Sequence, residues 1–147
     1  MTQPFSGAAG DTFVAHEVVV LVVVADEPPV PLPARLRYDR ADPYAVCLSL
    51  GGASTGTVDW VFARSLLTEG LVRPAGRGDV LVVPPHRCHR HSVRVVLRSA
   101  AGTAVVSIAA SAVATFLAET GRVVPAGAEG LHIDLDRLVA ELVAGSG

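Results

Sequence analysis

Val58, Trp60 and Phe62 alternate with Asp59 and Val61, the period-2 pattern of a strand with one buried face. At Ala63 the period lengthens. Phe62, Leu66 and Leu67 fall at helical spacing, which predicts one or two helical turns ending at Gly70, where a left-handed C-terminal cap is expected. Pro74, Gly76 and Gly78 interrupt the chain before a strand over Asp79–Val83. This strand–helix–strand unit contains the only Trp and no nucleophile, phosphate loop or ligand cluster.

Upstream, Phe13–Ala25 reads as a long strand, apolar on both faces from Val18 onward. Such a strand is either central and covered on both sides or buried by a second chain, and Val18, Val20, Val22 and Val24 are the expected oligomer interface. Pro28, Pro29, Pro31 and Pro33 predict an extended connection that blocks strand pairing. A short strand is expected over Arg35–Tyr38, a turn over Asp39–Pro43 and a strand over Tyr44–Leu50, followed by a Gly51–Gly56 loop.

Downstream, His86–His91 is a polar, basic turn. His91–Ser99 alternates a dry face (Val93, Val95, Leu97) with a polar one carrying Arg94 and Arg98. Ala101-Gly102 folds it back into Thr103–Ala109. Two helices close the chain, Ala112–Thr120 stopping at Gly121 and Leu135–Val143 with Asp134 as N-cap and Arg137/Glu141 four apart. A Pro/Gly loop over Val123–Gly130 separates them. The order predicts an α+β fold: an antiparallel meander sheet or open β-barrel, a short inserted helix and two C-terminal helices. One domain over 13–147 follows a loose tail over 1–12.

Composition leans the same way, since half of the 147 residues are apolar and Val prefers strands. All 12 basic residues are Arg, with Lys and Asn absent, a bias that fits a GC-rich genome better than any function. A net charge of −2 supplies no global field for nucleic acid or acidic lipid. Cys47 and Cys88 form no disulfide framework, no secretory signal is read and the apolar run Val18–Ala25 is too short to span a bilayer. A cytoplasmic protein with reduced thiols is expected.

Candidate chemistry reduces to a few positions. In His86-Arg-Cys88-His89-Arg-His91 an extended chain puts His86 and Cys88 on one side and His89 and His91 on the other, and no second ligand group accompanies them; a solvated loop is expected, with no metal, cofactor or catalytic residue. Gly76-Arg-Gly78-Asp79 lacks the context of a dinucleotide loop. Cys88 has basic neighbours and no orienting partner. Arg94 and Arg98 line up on one strand face and are the alternative site, for single-stranded nucleic acid, although stacking aromatics are missing there.

Three stretches, PLPARLRYDRADPYAV (Pro31–Val46), VDWVFARSLLTEGLVRPAGRGDVLVV (Val58–Val83) and Ala112–Asp136 with its FLAET…VPAGAEG-L-HIDLD pattern, together resemble the SsgA-like proteins of sporulating filamentous actinomycetes. The resemblance implies a non-enzymatic adaptor or regulator of sporulation-specific cell division, in septum placement, assembly of the tubulin-like protein FtsZ, or septum and spore-wall events. It implies a homotrimer of β-rich, whirly-like subunits acting in the cytoplasm at division septa, with FtsZ or another SsgA-like protein as partner. Asp59, Trp60, Arg64, Glu69, Arg73 and Arg77, around the short helix, are the candidate partner contact.

Overall fold

The computed structural model describes residues 13–51 and 56–146. The tail expected over 1–12 and the tip of the Gly51–Gly56 loop lie outside the described residues, as do the side chains of Arg77, Asp134, Asp136 and Arg137. The strands are β1 (Phe13–Val24), β2 (Val30–Asp39), β3 (Ala45–Leu50), β4 (Val58–Ala63), β5 (Ala75–Arg77), β6 (Val80–Val83), β7 (Ser92–Ser99) and β8 (Gly102–Ala109). Helices α1 (Arg64–Gly70), α2 (Ala110–Val123) and α3 (Glu129–Ser146) complete the described chain.

All eight strands join one antiparallel sheet in the order β4-β3-β2-β1-β8-β7-β6-β5. Two four-strand meanders are therefore stitched together where β1 pairs with β8, Leu21 opposite Ser107. The sheet curls into a half-barrel, and the expected α+β meander is what forms. Because strand side chains alternate between faces, Val46 and Leu48 of β3, Val93 and Val95 of β7, and Val106 and Ile108 of β8 point into one buried core. Val113 and Phe116 of α2 fill the concavity from above. Each side chain of this kind contributes about 1.5–3 kcal/mol when fully buried.

β2 overturns the expected proline connection: it runs from Val30, and Pro31 and Pro33 pair with Leu21 and Val19 of β1. The backbone geometry explains why. Pro33 O accepts the Gly51 N–H at 2.9 Å, so Pro33, and Pro31 two residues before it, turn their backbone groups away from β1. β3 pairs with β2 only from Ala34 onward. The missing N–H groups thus fall beyond the last β2–β3 rung, Ala34 opposite Leu50, where a strand tolerates proline.

The glycines also differ from expectation. Gly70 is the last residue of α1 and not its left-handed cap; Leu71 follows with φ −73°. Gly70 is required by packing, because a Cβ there would stand 2.2 Å from Val82 Cγ1. This close approach seats α1 on β6. Gly76 and Gly78 do not merely break the chain. At φ +131° and +70°, Gly76 lies within β5 and Gly78 in the turn of a short β5–β6 hairpin, with Ala75 opposite Val82.

At the C-terminal end, α2 runs through Gly121 to Val123. α3 begins at Glu129, so residue 134 lies inside a helix and is not its N-cap. On α3, Leu138, Val139, Leu142 and Val143 are exposed.

Candidate interaction surfaces

The six residues expected to form one contact separate. Asp59 and Trp60 are neighbours in β4 and therefore point to opposite faces of the sheet. Asp59 lies on the convex side, where its carboxylate accepts a hydrogen bond from Ser49 Oγ at 2.7 Å and faces Arg37 at 3.6 Å. Trp60 is half-buried on the concave side. Glu69 and Arg73 form an exposed pair four residues apart at 3.4 Å, and exposed pairs of this type contribute only about 0.3–0.5 kcal/mol. Arg77 sits on the edge strand β5.

Arg64 is a structural bolt and not a surface contact. It opens α1 with a side chain only 4% exposed. Its Nη1 donates to the carbonyls of Thr120 (3.1 Å) and Val124 (2.7 Å), and its Nη2 to Glu129 Oε2 (2.6 Å). The guanidinium lies 4.9 Å from the centre of the Tyr38 ring, within cation–π range. One cation therefore caps the negative end of α2 and holds the carboxylate that opens α3. This explains why α2 continues past Gly121: its last carbonyls are satisfied by Arg64 and not by a glycine cap. The other oxygen of Glu129 accepts the Gly127 N–H at 2.9 Å, which starts α3 at residue 129.

The electrostatics agree. The Arg64 hydrogen bond holds the Glu129 carboxyl below its ordinary value, outweighing its desolvation. Burial pushes the Tyr38 phenol up, against the opposing Arg64 charge, and its hydroxyl donates to Pro43 O at 3.0 Å. Sequence reading missed this bolt because its parts lie on four separated segments. One signal was present: Arg64 is the only charged residue between Asp59 and Glu69.

Beside the bolt, His16 Nε2 meets Glu119 Oε1 at 2.8 Å and its ring meets Phe116 edge-on, tying α2 to β1. Among the described residues, the opposite end of the concave face is open. There Val24, Leu32, Leu50, Val58, Trp60 and Leu97 line a cleft of about 460 Å³. The polar contributions to its wall come from Ser99 and Thr103.

The expected oligomer-interface residues divide: Val24 is 45% exposed at the cleft, whereas the other three turn into or against the core. Val20 is 1% exposed within its own core, and Val18 and Val22 pack against that core. The convex face of β1 instead carries the odd positions, with Val19 74% and Leu21 42% exposed. Both faces of β1 are apolar, as the sequence indicates, and the burial of the even face by α2 and the curled sheet leaves the odd face uncovered. Beside it Glu17 and Arg35 pair at 2.8 Å.

On β7, Arg94 is half-buried against His86, while Arg98 donates to Gly78 O at 3.4 Å. The pair does not form a free row of phosphate donors. The His86–His91 loop is closed by reciprocal backbone bonds between His86 and His89 at 3.1 and 2.9 Å, and Cys88 is exposed at its tip. Among the described residues no group of three or more His, Cys, Asp or Glu is placed to share a metal ion. No described helix is long and apolar enough to cross a membrane.

Comparisons with known proteins converge. The family model described as "Streptomyces sporulation and cell division protein, SsgA" matches residues 32–129. The sporulation-specific cell division protein SsgB of Streptomyces coelicolor is 43% identical over 136 residues, covering 92% of this chain and 99% of that protein. SsgB of Thermobifida fusca is 37% identical, covering 91% and 97%. Among solved structures, the SsgA-like sporulation-specific cell division protein from Thermobifida fusca superposes with a TM-score of 0.80 at 38% identity, over 88% of this chain and 95% of that one. A second, described as "Mutations in SsgB correlate to longitudinal cell division during sporulation of Streptomyces coelicolor", gives 0.75 at 46% identity, over 82% and 95%.

Proposed function

The chain belongs to the SsgA family of sporulation and cell division proteins, and from that premise we propose that it works as a non-enzymatic, homo-oligomeric adaptor in sporulation-linked division. The coarse role, in sporulation cell division, comes with the family. The finer reading is that a trimer carries division proteins, FtsZ or another SsgA-like chain, to the septum by surface contact.

The observation that carries this reading is the uncovered convex face of β1. Val19 and Leu21 stand on the central seam of the sheet, where a strand presents regularly spaced side chains on a rigid platform. Isolated exposed apolar residues are ordinary. Two on one face of a central strand, bordered by the Glu17–Arg35 pair, have the apolar-centre, polar-rim arrangement of a protein interface.

Light scattering after size exclusion, together with co-sedimentation on FtsZ polymers, tests the proposal. The wild-type chain is expected to elute as a trimer and to sediment with the polymers. Val19→Glu with Leu21→Glu should give a folded monomer that no longer does so. A wild-type chain that is monomeric and stays in the supernatant defeats the adaptor reading.

A further inference from the structure

We propose that the loop His86–His91 together with Arg94 is a docking site for an acidic polypeptide segment, a contact that rests on the adaptor reading and specifies the chemistry of one partner. Within HRCHRHSVR, Arg87, Arg90 and Arg94 accompany His86, His89 and His91 without one acidic residue, in a chain whose net charge is −2. The positive patch is therefore local. All residues from His86 to His91 are exposed, and Pro85, His86, Arg87 and Arg90 line a concavity of about 410 Å³.

The hydrogen-bond inventory shows what this patch lacks. Arg35, Arg37, Arg64 and Arg73 each meet a carboxylate, of Glu17, Asp59, Glu129 and Glu69 respectively. Arg94 instead meets His86 Nε2, and its own Nε, like that of Arg37, is buried with no hydrogen-bond partner. The Cys88 N–H already donates to His86 Nδ1 at 3.3 Å. A neutral imidazole has one acceptor nitrogen, so two donors compete for it and acceptors are in deficit. Arg87 and Arg90 have no ion pair among the described residues.

The backbone adds to the surplus. The Ala110 N–H donates to His91 O at 2.8 Å, which sets the loop at the positive end of the 14-residue α2, whose first turn contains no acidic residue. Carboxylates match this arrangement, because guanidinium groups take them in a bidentate fork. Arg clusters recognise acidic motifs in this way. The shape argues against a single nucleic-acid strand, which needs a longer backbone-tracking groove with aromatic platforms; the loop has a hairpin tip and no aromatic ring except its histidines.

Fluorescence anisotropy of the full chain with a labelled Asp/Glu decapeptide at low salt tests the site, with a labelled dT decamer and phosphatidylglycerol vesicles as parallel arms. The expected result is saturable peptide binding that weakens at least tenfold in Arg87→Glu/Arg90→Glu, two exposed positions whose reversal leaves the melting temperature unchanged. Affinity within twofold of wild type in that variant overturns the proposal. So does tenfold tighter binding of the dT decamer or of the vesicles than of the peptide. Co-sedimentation with FtsZ separates the two ideas: a wild-type chain that binds the peptide through these arginines but ignores the polymers keeps the site and defeats the adaptor reading, whereas an unimpaired variant in both assays defeats the site alone.

Discussion

The two ends of the half-barrel's concave face are lined by the same strands and similar residues, yet one is sealed and the other is open. At the sealed end Val14, Leu36, Tyr38 and Val46 are buried beneath Phe116 of α2. At the open end Val24, Leu32, Leu50 and Val58 are equally apolar but surround a cleft with Trp60 at its wall. The difference is not in the strands. It comes from a helix held over one end by a buried guanidinium, for which the other end has no counterpart among the described residues. Apolar alternation decides which face of a strand points inward; long-range fastening decides whether that face is covered.

The largest effect on this contrast should come from Arg64→Ala. Removing one partner of a buried pair typically costs about 3–5 kcal/mol, and here it would also take the guanidinium donor from the Val124 carbonyl, while Thr120 O keeps the Val124 N–H. For a chain of this size that is a fall in melting temperature of roughly 10 °C, since 1 kcal/mol moves it by about 2–4 °C. A fall below about 3 °C would mean that α2 is held without Arg64, by its apolar packing and the His16–Glu119 contact. Acid titration gives a second readout. The folded Glu129 carboxyl titrates below its ordinary value because of Arg64, so its stabilisation is present above the unfolded carboxyl's pKa of about 4.3 and is lost as pH falls through the lower folded value. In Arg64→Ala this acid-side loss should shrink.

Gly70→Ala should be the next largest. The new Cβ would overlap Val82, in a fully buried position, and overpacking of a tight core costs about 1–3 kcal/mol. Chemical denaturation of Gly70→Ala, Val82→Ala and the double variant forms a cycle in which the shorter side chain at 82 should recover much of the alanine's cost. Strict additivity would show that the α1–β6 approach does not limit the packing.

How much of this was legible in the sequence follows from the range of each interaction. The strand and helix periods of β4 and α1, and the alternation of β7, are written locally and could be read. The prolines misled because whether Pro31 and Pro33 block pairing depends on where β3 begins to pair with β2, a tertiary fact. The glycines misled for a related reason: Gly70 answers to Val82, twelve residues on, and not to its own helix end. Among the contact residues, Asp59 and Trp60 were separable in principle, since adjacent strand positions face opposite ways. Arg64 was not. Its partners at 120, 124 and 129 lie 56 to 65 residues away, although the three stretches that carry the family resemblance all contribute to its surroundings.

The smallest stability effect, and the sharpest test of the contrast, is expected at the open end. Val58 is 60% exposed, so Val58→Ser removes little buried area and should change unfolding free energy by less than about 0.5 kcal/mol. The same substitution replaces part of the cleft's apolar wall by a hydroxyl that any docked apolar group would have to desolvate. If the open end is a contact surface, co-sedimentation with division proteins should weaken while the melting temperature stays put. A buried position such as Val46 should show the reverse order, with stability falling first. Should Val58→Ser instead destabilise the chain by more than about 2 kcal/mol, far beyond the surface range, the open end would be part of the folded core and the contrast between the two ends would fail.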